Sequence, residues 1–314
     1  KISTLNLSTN SLDDAVGDVI DASVSNLDDA GVGSSDLSTV VSGIATTAVN
    51  GAGSIFSSTT LGTGLEALAQ NLIGALDDAG LGSSSLSATT ASVTATLVGA
   101  LGDIAATSDG TTMTAATRET LVGTVTASSI KGLNGLSGAD RSALAAQISG
   151  GAVQGVGVLA KAGKADTGSA ISSLATSSAT ALGSLTGIDA TELTTISLAV
   201  QGSIEGEIDV LATDAALSID ADTLKNTTAS GLQAGVNASG VTGADPNSIA
   251  APGTKGGTTA DTVAPSLTVV SSVSSPTNSP ALTIQSNESA ALSFAGNCSS
   301  TTSTLTAFDN TSIS

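Results

Sequence analysis

The chain has 314 residues, enough for two or three domains. It holds no His, Trp or Tyr and three Phe, so Ala, Val, Leu and Ile must build any core. Eight basic residues stand against 27 acidic ones, a formal net charge of −19. That excludes the basic footprint nucleic acid requires and argues against docking on anionic lipid. It suits a soluble extracellular protein, or one that takes up cations.

The sequence starts at Lys1 without a charged segment followed by an apolar run. No signal peptide is read here, and processing or truncation is expected to have removed the true start. No stretch reaches the roughly 18 uninterrupted apolar residues of a membrane span. Lys1 is the only base before Arg118. All five prolines, Pro246, Pro252, Pro265, Pro276 and Pro280, fall in the last quarter. A proline-free stretch of that length predicts helices, because Pro breaks helix interiors.

Two segments show the period directly. Leu65, Leu68, Leu72, Ile73 and Leu76 follow the three-and-four spacing of one helix face. From Arg141 onward, Leu144, Ile148, Val153, Val156 and Leu159 do so with one step of five. Between them, Ser87 to Val98 is rich in Thr and Val and has weak helix propensity. A β-solenoid is therefore the competing reading of the region.

An internal repeat underlies the helices. Leu27-Asp28-Asp29-Ala30-Gly31-Val32-Gly33-Ser34-Ser35 matches Leu76-Asp77-Asp78-Ala79-Gly80-Leu81-Gly82-Ser83-Ser84 at an offset of 49 residues. Val16 aligns with Leu65, Val19 with Leu68 and Val24 with Ile73. Looser junctions follow at Gly135 to Asp140, Gly187 to Leu193 and Ser218 to Leu224. Gly31 and Gly80 fit left-handed helix ends, and the Ser or Asp beyond them fits the next helix's cap. Asp189 with Glu192 reads as a capping box behind Ile188. The expected architecture is mainly α: about eight helices over 1–238, as a helical bundle or short helical solenoid.

Residues 239–260 turn to Gly, Thr, Ala and Pro and read as a linker. After it the period becomes two: Leu267 and Val269, Leu282 and Ile284, then Leu292 and Phe294 alternate with polar neighbours, as half-buried strands do. Asp261-Thr262-Val263-Ala264-Pro265, Ser275-Pro276-Thr277-Asn278, Ser286-Asn287-Glu288-Ser289-Ala290 and Gly296-Asn297-Cys298-Ser299-Ser300 punctuate these strands. With those motifs the segment 261–314 resembles an immunoglobulin-like repeat of large bacterial surface adhesins. The resemblance implies a β-sandwich of roughly 80–100 residues, of which this chain holds the first part. It also implies that Cys298, the chain's single cysteine, pairs with a Cys beyond it. Asp261, at the domain start, becomes a candidate ligand of an interdomain calcium ion.

Chemistry is otherwise sparse. The pairs Asp13-Asp14, Asp28-Asp29 and Asp77-Asp78 read as solvated acids near helix ends, since adjacent helical residues point apart. Asp220-Ala221-Asp222 reads likewise. No His can serve as a base, no partner stands near Cys298, and Lys161 and Lys164 have no marked Ser beside them. Gly150 to Gly157 lacks the Lys-Ser/Thr ending of a phosphate loop and reads as close helix packing or turns. The expected role is non-enzymatic: a structural or adhesive, extracellular or surface protein of a Gram-negative bacterium, with no resident cofactor apart from calcium. The alternative is a self-assembling filament or surface-layer subunit.

Overall fold

The computed structural model describes residues 9–27, 32, 34–78, 83–134, 136 and 138–250, with five short strands beyond them. Nine α-helices lie among the described residues. They are α1 (Thr9–Ser25), α2 (Ser34–Ile55), α3 (Leu61–Asp78), α4 (Ser83–Ala100), α5 (Ala115–Lys131), α6 (Gly138–Lys161), α7 (Thr167–Gly183), α8 (Ala190–Ala212) and α9 (Ala221–Ala238). The chain divides into two compact units, Lys1–Lys255 and Gly256–Ser314.

In the first unit each helix packs chiefly on the helix two places along. The odd helices stack as α1-α3-α5-α7-α9 and the even ones as α2-α4-α6-α8. The result is a two-layer stack of helix pairs, a short α-solenoid. The repeat continues along the stack at intervals of 49, 55 and 52 residues: α2, α4, α6 and α8 begin at Ser34, Ser83, Gly138 and Ala190. Contacts between layers of the stack span about one repeat, as in Arg141 with Glu192, Thr186 with Asn134 and Ser42 with Ser92.

Small residues make this stacking close. A Cβ on Gly151 of α6 would overlap the Ala91 carbonyl oxygen of α4, and one on Gly155 would lie 2.7 Å from the Ala95 oxygen. Gly231 and Gly235 of α9 meet α7 in the same way, against Ala175 and Ala179. The glycines of Gly150 to Gly157 thus serve helix packing. Leu65, Leu68, Leu72 and Leu76 are fully buried, each contributing about 1.5–3 kcal/mol of hydrophobic stabilisation. The irregular stripe of α6 is buried throughout, from Leu144 to Leu159, because α4 and α8 cover it from both sides. Asp140–Lys161 is long and apolar enough to cross a membrane, but 67% of its apolar 18-residue window is buried. It is a core helix by packing.

The β-solenoid alternative for Ser87 to Val98 is overturned. Those residues form α4, with Thr89, Thr90 and Thr94 buried. Thr94 donates its hydroxyl to the Thr90 carbonyl at 2.9 Å, so its polar atom is satisfied within the helix. Packing against the glycines of α6 outweighs the weak propensity.

The expected linker 239–260 is corrected in its first half. After α9 the chain turns back across the stack through a 3₁₀ turn at Pro246–Ser248 and buries Ile249 completely. Gln233 donates to the Ile249 carbonyl at 2.5 Å, and Gln201 to the Ala250 carbonyl at 2.7 Å. Pro and Gly here shape a strap rather than a flexible tether.

In the second unit the structure describes β1 (Leu267–Ser271), β2 (Leu282–Ser286), β3 (Ala290–Ala291), β4 (Thr304–Leu305) and β5 (Asn310–Ile313). They pair antiparallel in the order β1-β2-β5, with β3-β4 separate. Two of these strands carry the period-two pattern. Five short strands in two small sheets do not by themselves make a sandwich.

Candidate functional site

Three polar clusters brace the connections between helices. Arg118, only 5% exposed, reaches the α4–α5 turn, where its partners are backbone carbonyls. It donates to the carbonyls of Leu101 (3.1 Å), Met113 (2.9 Å) and Ile104 (2.7 Å). Burial pushes its guanidinium below the usual value. Three aligned carbonyl dipoles hold the cation, which clasps the turn shut.

Asp109 sits at the tip of the same connection, before the left-handed Gly110 (φ +80°). Its carboxylate accepts from the Thr107 hydroxyl (2.5 Å), the Ser58 hydroxyl (2.7 Å) and the Ser58 and Thr111 amides (3.1 Å each). These donors hold it well below the usual carboxylate range, the Thr107 hydroxyl most of all. Because Ser58 belongs to the α2–α3 loop, Asp109 ties two successive repeats together.

At the third cluster Arg141 pairs with Glu192 at 3.2 Å and donates to the Leu136 carbonyl at 2.7 Å. The capping box at Asp189 is therefore half formed. Asp189 accepts from the Glu192 amide at 2.8 Å, but the Glu192 carboxylate turns to Arg141 in the neighbouring repeat. Asp220 is the cap of α9, accepting from the amide and hydroxyl of Thr223, which lower its pKa. The acid stretch Asp220-Ala221-Asp222 is thus used as a helix start. Lys161 is paired with Asp214 at 2.5 Å, with its side chain 49% exposed.

Asp261 and Cys298 lie outside the described residues, as do Asp28, Asp29, Gly31 and Gly80. The side chains of Asp13, Asp14, Asp77 and Asp78 do too. Among the described residues no group of three or more Cys, Asp or Glu is placed to hold a metal ion.

One concave surface of the stack is apolar. A groove of about 660 Å³ runs between α1 and α2 and is lined by Val16, Val19, Ile20, Val40, Ile44 and Ile55, with Gly43 and Gly51 on its floor. Val19 is 54% and Val40 37% exposed. Val158, Leu198 and Val210 are also exposed, but none of them lines this groove. Two other hollows, on α7 around Ser172 and on α4 around Ser92, are lined largely by hydroxyls and small residues. The repeat aligns Val16 with Leu65 and Val19 with Leu68. Those leucines are fully buried. The difference is position in the stack: α3 has α1 packed against it, whereas among the described residues no helix lies on the far side of α1. The smaller side chains of the first copy were the available signal. No family model matches this chain, and no curated protein matches it either.

Proposed function

We propose that this chain is a non-enzymatic structural or adhesive part of a secreted surface protein of a Gram-negative bacterium. In this reading the helical stack is a spacer or anchoring module leading into immunoglobulin-like repeats that begin near Asp261. The observation that carries it is the character of the stack. Its ionic groups are used to fasten one repeat to the next, through Asp109, Arg118 and the Arg141–Glu192 pair, rather than to line a cavity. A repeat solenoid held in this way transmits load along its axis, which a spacer requires. The resemblance of 261–314 to adhesin repeats supplies the surface location, with Asp261 as a calcium ligand and Cys298 as half of a disulfide. Antibodies raised against the helical unit test the reading on intact cells of the parent organism. Surface labelling without lysis is expected; labelling confined to lysed cells would reject it.

A second reading, a self-assembling subunit, is favoured by the apolar groove at the first helix pair. Open-ended assembly would give filaments or sheets visible by electron microscopy of the purified chain.

A further inference from the structure

We propose that the groove between α1 and α2 is a twofold docking surface for a second copy of this chain. This narrows the self-assembly reading from open growth to a closed pair and is independent of where the protein resides.

Four observations carry it. First, the groove continues an interface the fold already uses. The interior pairs α3–α4 and α5–α6 have helices stacked on both sides, α1 and α2 being the neighbours of α3 and α4 on one side. Among the described residues the first pair has a helix neighbour on one side only, yet Val16, Val19, Val40 and Ile44 stand there in the pattern of a buried face. Second, the floor is made for close approach. A Cβ on Gly43 or Gly51 would meet nothing within 4 Å, so a ridge of side chains from another helix can enter. The exposed rim valines, Val19 and Val40, are such a ridge. A twofold axis would place each copy's rim over the other's floor. Third, the opposite end of the stack is closed by the strap carrying Ile249, held by Gln201 and Gln233. A head-to-tail contact would meet this strap in place of an open helix face, which favours head-to-head pairing.

The fourth observation is size. α1 has 17 residues and α2 has 22, lengths of about 25 and 33 Å at 1.5 Å per residue. Two helices side by side are about 20 Å wide. The face is then on the order of 500–650 Å² per copy, at the lower limit of specific interfaces. A face of that size corresponds to a weak pair. Charge sets its salt response. Asp18 and Asp36 are exposed on these helices, and the sequence has no Lys or Arg between Thr9 and Ile55. The two copies repel, and salt screens the repulsion. Pairing therefore strengthens as salt rises.

Light scattering on the size-separated full chain, over a range of concentrations and at low and high salt, tests this. The expected result is a shift from the 29.8 kDa chain mass to twice that mass, earlier at high salt. Val19→Glu with Val40→Glu should remove the shift. Gly43→Leu with Gly51→Leu should also remove it, by filling the floor, while leaving the circular dichroism spectrum and melting temperature no worse than wild type. Loss of the shift in both variants supports the proposal. A monomer at every concentration and salt would overturn it and the second reading together. Larger polymers would overturn the closed pair while leaving self-assembly standing. Dimers that appear only after deletion of residues 1–8 would assign the groove to that segment and likewise overturn it.

Discussion

The two ends of the helical stack solve the same problem differently. At the C-terminal end, a chain segment without regular helix crosses the last helices, buries Ile249 and has its carbonyls held by two glutamines. At the N-terminal end, the equivalent surface of α1 and α2 keeps Val19 and Val40 exposed beside a glycine floor. In a stack where each repeat touches only its neighbours, a terminal repeat lacks half its contacts unless something else supplies them. The strap supplies them at one end. Stability should therefore rise from α1 toward the middle and stay high to α9.

The largest expected effect lies in the middle. Arg118→Met keeps most of the side-chain volume but strands three buried carbonyls, and should cost about 3–5 kcal/mol in urea denaturation. A near-neutral result would mean that the α4–α5 clasp does not couple neighbouring repeats. Next come the ends. Ile249→Ala should cost about 2–5 kcal/mol, while Val19→Ala, at low protein concentration, should stay within about 0.5 kcal/mol. Equal costs at the two positions would remove the distinction between a capped and an open end.

One substitution made at two places sharpens the contrast further. Gly151→Ala puts a methyl group against the Ala91 carbonyl and should destabilise by about 1–3 kcal/mol. Gly51→Ala meets open space in a helix interior and should stabilise by about 0.5–1 kcal/mol. Melting temperatures of the two variants should move in opposite directions.

The smallest effect is a dependence on pH. Asp109 has a folded pKa below its unfolded one, so it stabilises the fold above the unfolded value. That contribution disappears as pH falls from the ordinary aspartate range through the lowered folded pKa. Asp109→Asn should melt below wild type at neutral pH, and the two curves should converge in strong acid. A difference unchanged by acid would show that the donors around Asp109 do not act through its charge.

Much of the fold was legible in the residues. Absence of proline and the Leu27–Ser35 and Leu76–Ser84 match marked helices and their period, because a repeated junction sets a repeated turn. The stacking rule was not legible. Gly151 and Gly155 signal a close approach but not to which helix, and only the fold shows that the partner is α4. The strap was missed because Pro246 and its glycine-rich surroundings resemble a tether in composition; what holds it is a pair of glutamine side chains from distant helices. The groove was missed for a related reason. Val16 and Val19 align with core positions of the second copy, and sequence equivalence does not record that, among the described residues, α1 has a helix packed on one side only. Glu192 shows the same limit at a single residue: its spacing from Asp189 fits a capping box, while Arg141, 51 positions away, takes its carboxylate.

Hydrogen exchange of the full chain, read helix by helix at low protein concentration, tests the central claim of a stack closed at one end and open at the other. The expected protection is lowest in α1 and α2, highest in α5 to α8, and still high in α9 beneath the strap. On raising the concentration, α1 and α2 alone should gain protection. Protection in α1 and α2 equal to that in α9 at low concentration would contradict the account.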